Sequence, residues 1–412
     1  MKFRRVLGVI CLAMLMAVAG AKAEDIPVFW LATDMHYISP ELTDRGAMFT
    51  QLVSQADGKV MLYSEELMEA FTEQAIRVHP DVLILSGDLT FNGAKQSHID
   101  LVAKLRRIRE AGVHVLVIPG NHDLDSRQAA HFIGSVYQRV SNLPAEEFAE
   151  LYADFGYADA LSRDDSSLSY VARPVEGWRF LMLDVNTKAA PCAVAPATLE
   201  WVERQLREAR KAGDRVIAVS HQNLFKHNSL FYANFVIANA DKLYALYRQN
   251  GVRLNLSGHM HMQHIAEAGG VTEIATSALS VSPLQYGVLQ ADGSQVRYET
   301  AIVDVAGWAR GKGLSDPDLL DFDAYARRFF DQTTKSQMLE RLKGRENAEE
   351  IAQFAADLNH LYFAGRTDLI DADSPLWDEL PKDAFFTFYM STFRRESRNA
   401  TVCAVAYEEM GE

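Results

Sequence analysis

Cysteine is scarce in this chain, with 3 among 412 residues. Cys11 lies inside an N-terminal apolar run, which leaves Cys192 and Cys403, and two thiols cannot make a disulfide framework. One bridge or two buried thiols both stay open, so the fold must rest on a packed core, which 48% hydrophobic residues can supply. Positive charge is also short: 41 Lys and Arg stand against 55 Asp and Glu, a formal net charge of −14. Such a surface repels polyanions and argues against long nucleic acid as the main partner. Long apolar runs are missing too. The opening MKFRRVLGVICLAMLMAVAGAKAEDIP has about fifteen apolar residues in a row, where about twenty are needed to cross a bilayer. Lys2, Arg4 and Arg5 precede that run and Ala21-Lys22-Ala23 follows it, the form of a secretory signal and its cleavage site. The expectation is an exported protein, periplasmic or extracellular, that begins at Glu24 and keeps no membrane anchor. Oligomeric state is not legible.

Short apolar runs alternate with amphipathic stretches from Pro27 to about residue 260. VFWLAT, DVLILS, VHVLVIP, WRFLMLD, DRVIAVS and VRLNLS have the length and Val/Ile/Leu content of strands covered on both faces. YSEELMEAFTEQAIRV, AKQSHIDLVAKLRRIREAG, PATLEWVERQLREARKAG and NADKLYALYRQNG between them carry apolar residues at helical spacing. The alternation predicts an α/β layered domain. GVLQADGSQVRYETAIVDV then reads as a hairpin turning at Asp292-Gly293. The expected organisation is signal 1–23, α/β domain 24–306, linker 307–317 and a small C-terminal all-helical domain 318–412. The aromatics of that last part, among them Phe330, Phe354, Tyr362 and Phe363, read as its core.

Polar residues follow the strands in a pattern. After VFWLAT come Asp34 and His36; after DVLILS, Asp88; after VHVLVIP, Asn121, His122 and Asp123; after DRVIAVS, His221; after VRLNLS, His259 and His261. Sites in open α/β sheets assemble at the carboxyl ends of strands, so residues remote in sequence converge there. In Asp34-x-His36 and His259-x-His261 an extended backbone would aim both side chains the same way. Any one fragment is common, but five in order, each behind a strand, point to a shared metal site. Asn92, His227, Thr276, Ser277 and Tyr286 lie in nearby loops and read as structural, and His264 is left out of the site.

These five fragments, DMH, GD, GNHD, a lone His and GHMH, resemble the pattern of the calcineurin-like metallophosphoesterases. The resemblance covers about residues 26 to 305. GDLTFNG, SHQNLFKHNSLF and the helical tail look most like secreted bacterial class III cyclic nucleotide phosphodiesterases. The resemblance implies a four-layer α/β/β/α metallophosphoesterase sandwich holding two divalent ions. Asp34, His36 and His261 would bind one, Asn121, His221 and His259 the other, and Asp88 both. Carboxylate, imidazole and amide ligands suit Mn²⁺, Fe or Zn²⁺.

Two such ions generate a hydroxide near neutral pH and neutralise charge as phosphorus is attacked in line. The resemblance gives His122 the leaving oxygen, and Asp123 is read either as its orienting partner or as a helix N-cap. Phe91 stands where purple acid phosphatases carry a ligand tyrosine, and the helical tail is unlike the large α/β domain of 5′-nucleotidases, which disfavours both branches. The leading expectation is hydrolysis of small phosphodiesters or nucleotides, cyclic nucleotides included. A phosphomonoesterase and a non-catalytic binding protein are the alternatives.

Overall fold

Strands with two covered faces need helices outside and a second sheet inside, and both are present. The computed structural model describes residues 26–407, so the signal segment lies outside the described residues. β1 (Val28–Ala32) pairs in parallel with β2 (Val82–Leu85), and β2 with β3 (His114–Val117). The crossovers contain α1 (Ser64–Val78) and α2 (Lys95–Glu110), as parallel neighbours require. A second parallel set comprises β4 (Trp178–Leu183), β5 (Arg215–Ser220), β6 (Leu254–Ser257) and β7 (Val271–Ala275). It is crossed by α3 (Pro196–Ala212) and α4 (Ala240–Gln249). The expected hairpin, β8 (Gln285–Ala291) and β9 (Gln295–Ile302), joins the first sheet beside β1, and Gly293 takes φ 84° at its turn.

Alternation along each strand sorts the layers. Phe29 of β1 meets Phe180 and Trp178 of β4 at ring-centroid distances of 5.1 and 6.1 Å, which packs sheet on sheet. Trp30, one residue on, turns the other way onto Phe71 of α1. In β4, Leu181 and Leu183 face Trp201, Val202 and Leu206 of α3. This is the four-layer α/β/β/α sandwich. Truncating Phe29 or Phe180, each fully buried, would cost about 3–5 kcal/mol.

The C-terminal region is helical, with α5 (Phe322–Arg341), α6 (Ala348–Phe363) and α7 (Ala384–Arg395). Two features differ from the sequence expectation. Part of the 307–317 stretch is helix, Val305–Gly311, because Asp304 caps it by accepting from Gly307 N at 2.7 Å. The chain also does not end in helix: β10 (Val402–Ala406) returns to pair antiparallel with β9, placing the first sheet in the order β10-β9-β8-β1-β2-β3. Phe330, Phe354, Tyr362 and Phe363 pack within apolar clusters, and Cys192 and Cys403 are both free thiols.

Candidate metal centre

The ligand segments are not extended. Asp34, His36, Asp88, His259 and His261 all take positive φ, at 53°, 46°, 48°, 69° and 59°. A left-handed residue other than glycine costs about 1–3 kcal/mol. Cross-segment backbone hydrogen bonds hold these turns: Asp34 N to Gly87 O at 3.1 Å, His36 N to Asp88 O at 3.0 Å and Gly258 N to His221 O at 3.0 Å. Asp34 and His36 do share a site, but through alternate left-handed residues rather than through strand geometry.

The glycine of each motif makes room for a ligand from another. A Cβ on Gly87 would lie 2.7 Å from His221 Nδ1, one on Gly120 2.2 Å from Asp88 N and Oδ1, and one on Gly258 2.6 Å from Asp34 Oδ2. Only Gly87 of the three has positive φ, at 101°. Gly120 is there for space rather than for a bend.

Two groups of ligand atoms result. Asp34, His36, Asp88 and His261 form one, and Asp88, His221 and His259 the other, with all ligand atoms of a group within 4.8 Å of one another. Asp88 belongs to both. Asn121 joins the second, its Oδ1 3.1 Å from His221 Nε2. Ligands about 2.1 Å from a common ion stand about 3–3.5 Å apart. The structure has His36 Nε2 and His261 Nε2 3.2 Å apart, His221 Nε2 and His259 Nδ1 3.2 Å apart, and His221 Nε2 3.3 Å from Asp88 Oδ2.

The donor set fits cations. His221 Nδ1 donates to Ser86 O at 2.9 Å, His259 Nε2 to Asn234 O at 3.0 Å and His261 Nδ1 to Asp57 Oδ2 at 2.8 Å. Each bond leaves the opposite nitrogen of the neutral ring bare and aimed into the cluster. Facing lone pairs need a positive charge between them. Asp34 Oδ1 is buried and accepts no hydrogen bond, while Asp34 Oδ2 accepts from Thr33 Oγ1 and His259 N.

The titration behaviour agrees. Burial pushes His221 down, but Asp88 beside it overrides this and raises the imidazole to about 9. Burial and Lys59 lower His261, and Asp57 with Asp34 lift it to about 9. Burial sends His259 down to about 4 and, with Lys59, holds His36 well below the usual range. Without ions the carboxylates thus hold protons on His221 and His261, and the neutral rings with a bare nitrogen are the ion-bound form, in which divalent ions would displace those protons.

His122 stands on the open side, its side chain 36% exposed. Its Nδ1 lies 3.2 Å from Phe91 O and its Nε2 3.9 Å from Asp88 Oδ2. Asp123 neither orients it nor caps a helix. Asp123 is fully buried and accepts from Gly120 N, Leu89 N, Thr90 N and Thr90 Oγ1 at 2.7 to 3.1 Å, tying the GNHD turn to the loop after Asp88. Burial, then Asp88, raises its carboxyl to about 6. The Phe91 carbonyl is the group that orients His122.

The other residues named near the site are structural here, and Tyr286 lies within β8 rather than in a loop. His227 bonds Glu273 at 3.0 Å, Thr276 the Tyr298 hydroxyl, Ser277 Gln285, and Tyr286 Gln74. Asn92 Nδ2 donates to Ala130 O, and His264 Nδ1 shares a hydrogen bond with His227 Nδ1 at 2.9 Å. Sequence reading missed Asp57, Asn234 and the Phe91 carbonyl. The two carbonyls carry no side-chain signal, and Asp57 sits in a plain turn, SQADGKV.

A family model described as calcineurin-like phosphoesterase matches residues 27–263, and one described as the C-terminal domain of cyclic nucleotide phosphodiesterase matches residues 304–397. No curated protein matches the chain. Among solved structures, a dimetal phosphatase from Danio rerio is 13% identical, with 67% of this chain and 96% of that one covered and a TM-score of 0.43. A purple acid phosphatase from yellow lupin is 14% identical over 68% of this chain and 52% of that one, with a TM-score of 0.40. Mycobacterium tuberculosis phosphopantetheinyl hydrolase is 13% identical over 61% and 89%, with a TM-score of 0.34. All three scores fall below 0.5, so family assignment rests on the first family model, which spans more than half of the chain.

Proposed function

The chain belongs to the calcineurin-like phosphoesterase family, and we propose that within it the protein is an exported phosphodiesterase acting on small phosphodiesters, cyclic nucleotides among them. The observation that carries this reading is the pair of ligand groups sharing Asp88, with the half-open imidazole of His122 beside them. Two divalent ions held by Asp34, His36, Asp88, Asn121, His221, His259 and His261 would supply Lewis acidity and an activated water. Against the carboxylates of Asp34 and Asp88 they would leave local positive charge, which would allow an acidic protein to bind a phosphate group.

The chain's own residues do the rest. Gln222 Nε2, 3.4 Å from Asn121 Oδ1 and 2.7 Å from Asn186 Oδ1, steadies the amide ligand. His122, with Nδ1 tied to the Phe91 carbonyl, presents Nε2 to the cleft, and as imidazolium it delivers that proton to the leaving oxygen. Phe235, packed on Phe231, lies 5.0 Å from the His259 ring, between centroids, and would be an aromatic neighbour of that ligand for a base or sugar to meet. The C-terminal match further supports the cyclic-nucleotide reading. Export rests on the N-terminal signal pattern.

The test compares a bis-aryl phosphodiester, its monoester and a panel of 2′,3′- and 3′,5′-cyclic nucleotides, using protein stripped and reloaded with Mn²⁺. Metal-dependent preference for diesters is expected. Preference for the monoester would make the protein a phosphatase, and no turnover of any ester would make it a binding protein.

A further inference from the structure

We infer that Asp57 is a positioning residue for the metal ligand His261, and that the C-terminal helical region takes part in the metal centre by clamping the Asp57 turn with Phe330. This rests on the metal-centre reading above. Asp57 Oδ2 accepts from His261 Nδ1 at 2.8 Å, which fixes the tautomer with Nε2 bare and 3.3 Å from Asp34 Oδ1. A carboxylate on the far nitrogen also makes the ring a better ligand. Lys59, with its side chain 10% exposed, holds Asp57 from behind, Nζ lying 2.8 and 3.0 Å from Oδ1 and Oδ2.

The turn that carries Asp57 is held from the C-terminal side. Gly58, at φ 86°, lies so close to α5 that a Cβ there would be 2.8 Å from Phe330 Cδ2. Phe330 is 3% exposed and packs with Ala278 and Val281. The segment that holds Ala278 and Val281 joins His261 to the Asp57 turn: Ala278 N donates to His261 O at 3.4 Å, and Val60 N donates to Ser280 O at 2.8 Å. One aromatic ring therefore braces both the Asp57 turn and the segment against which His261 rests.

The ligand segment itself is anchored in the same region. Met260 and Met262, on either side of His261, are buried in one cluster with Met338, Ile351, Leu358 and Phe393. Gln263 N donates to Phe363 O at 2.9 Å, and its Nε2 to Ala400 O at 2.9 Å. The contact across this boundary thus reaches the metal ligands through three segments, with Asp57 as the charged end of one of them.

The experiment titrates metal-stripped full-length protein with Mn²⁺ by calorimetry for the wild type, Asp57→Asn, Asp57→Glu and Phe330→Ala. Wild type should take two ions. Asp57→Asn should weaken one of them about 10–100-fold and leave the other unchanged, and Asp57→Glu should recover part of the loss. Phe330→Ala should weaken the same ion even where its melting temperature also falls. A purely structural role predicts no site-selective loss and no recovery by glutamate. If wild type binds two ions and Asp57→Asn binds both with wild-type affinity, this inference is overturned while the metal centre stands. If wild type binds fewer than two, both are overturned.

Discussion

Gly120→Ala is the smallest change that should disable the site. The added carbon would lie 2.2 Å from both Asp88 N and Asp88 Oδ1, where ordinary contact begins at 3.4 Å. Something must yield by about 1.2 Å, and neither neighbour is the free end of a flexible side chain. Metal sites tolerate displacements of about 0.2 Å in a ligand, so the shared carboxylate leaves its place for both ions together. Overpacking should cost about 1–3 kcal/mol of stability, and a displacement near 1 Å about a hundredfold in turnover. Calorimetric Mn²⁺ titration should show both ions weakened, and diester hydrolysis should fall at least about a hundredfold in a protein that still melts cooperatively. Gly311→Ala, with open space around its Cβ and no positive φ, is the control and should behave as wild type. Wild-type metal binding and turnover in Gly120→Ala would refute the steric account of the motif glycines.

Three further outcomes are expected. His122→Ala should keep both ions and lose about 10²–10⁴-fold in kcat, with the smallest loss for substrates whose leaving group needs no proton; equal loss across leaving groups would argue against its role. Burial lowers His98 to about 4, so the unfolded chain, titrating near 6.5, takes up a proton that the folded chain refuses. The contribution of His98 to the stability of the metal-free protein should therefore be full above pH 6.5 and fall by about 3 kcal/mol as pH drops to 4. Urea melts of wild type and His98→Gln across this range should show that part of the slope vanish in the variant. Glu273, fully buried, accepts from Leu224 N, Phe225 N, His227 Nε2, Asn255 Nδ2 and Ser257 Oγ at 2.6 to 3.0 Å. Glu273→Ala should destabilise the protein by about 3–5 kcal/mol in denaturant melts, and a loss under 1 kcal/mol would contradict the burial argument.

The strands and the residues that cluster behind them were legible for one reason. A run such as VHVLVIP marks its own end, and what stands there can be read without knowing how the runs pair. What was illegible depends on contacts remote in sequence. The left-handed backbone at Asp34 and His36 is imposed by hydrogen bonds from Gly87 and Asp88, so local alternation suggested an extended segment instead. The need for glycine at 120 is equally hidden, because nothing local shows Asp88 pressed against it. Asp123, next to His122 in sequence, turns back to the loop after Asp88, whereas Asp57 acquires its partner only through the fold. β10 escaped notice because five residues after a helical stretch carry too little periodicity to announce a strand.

Counting ions against turnover tests the shared role of Asp88 most directly. Stripped protein titrated with Mn²⁺ while bis-aryl phosphodiester hydrolysis is followed should bind two ions per chain, with activity rising as the second binds. Full activity with one ion, or turnover by the stripped protein, would contradict a centre in which Asp88 serves both ligand groups.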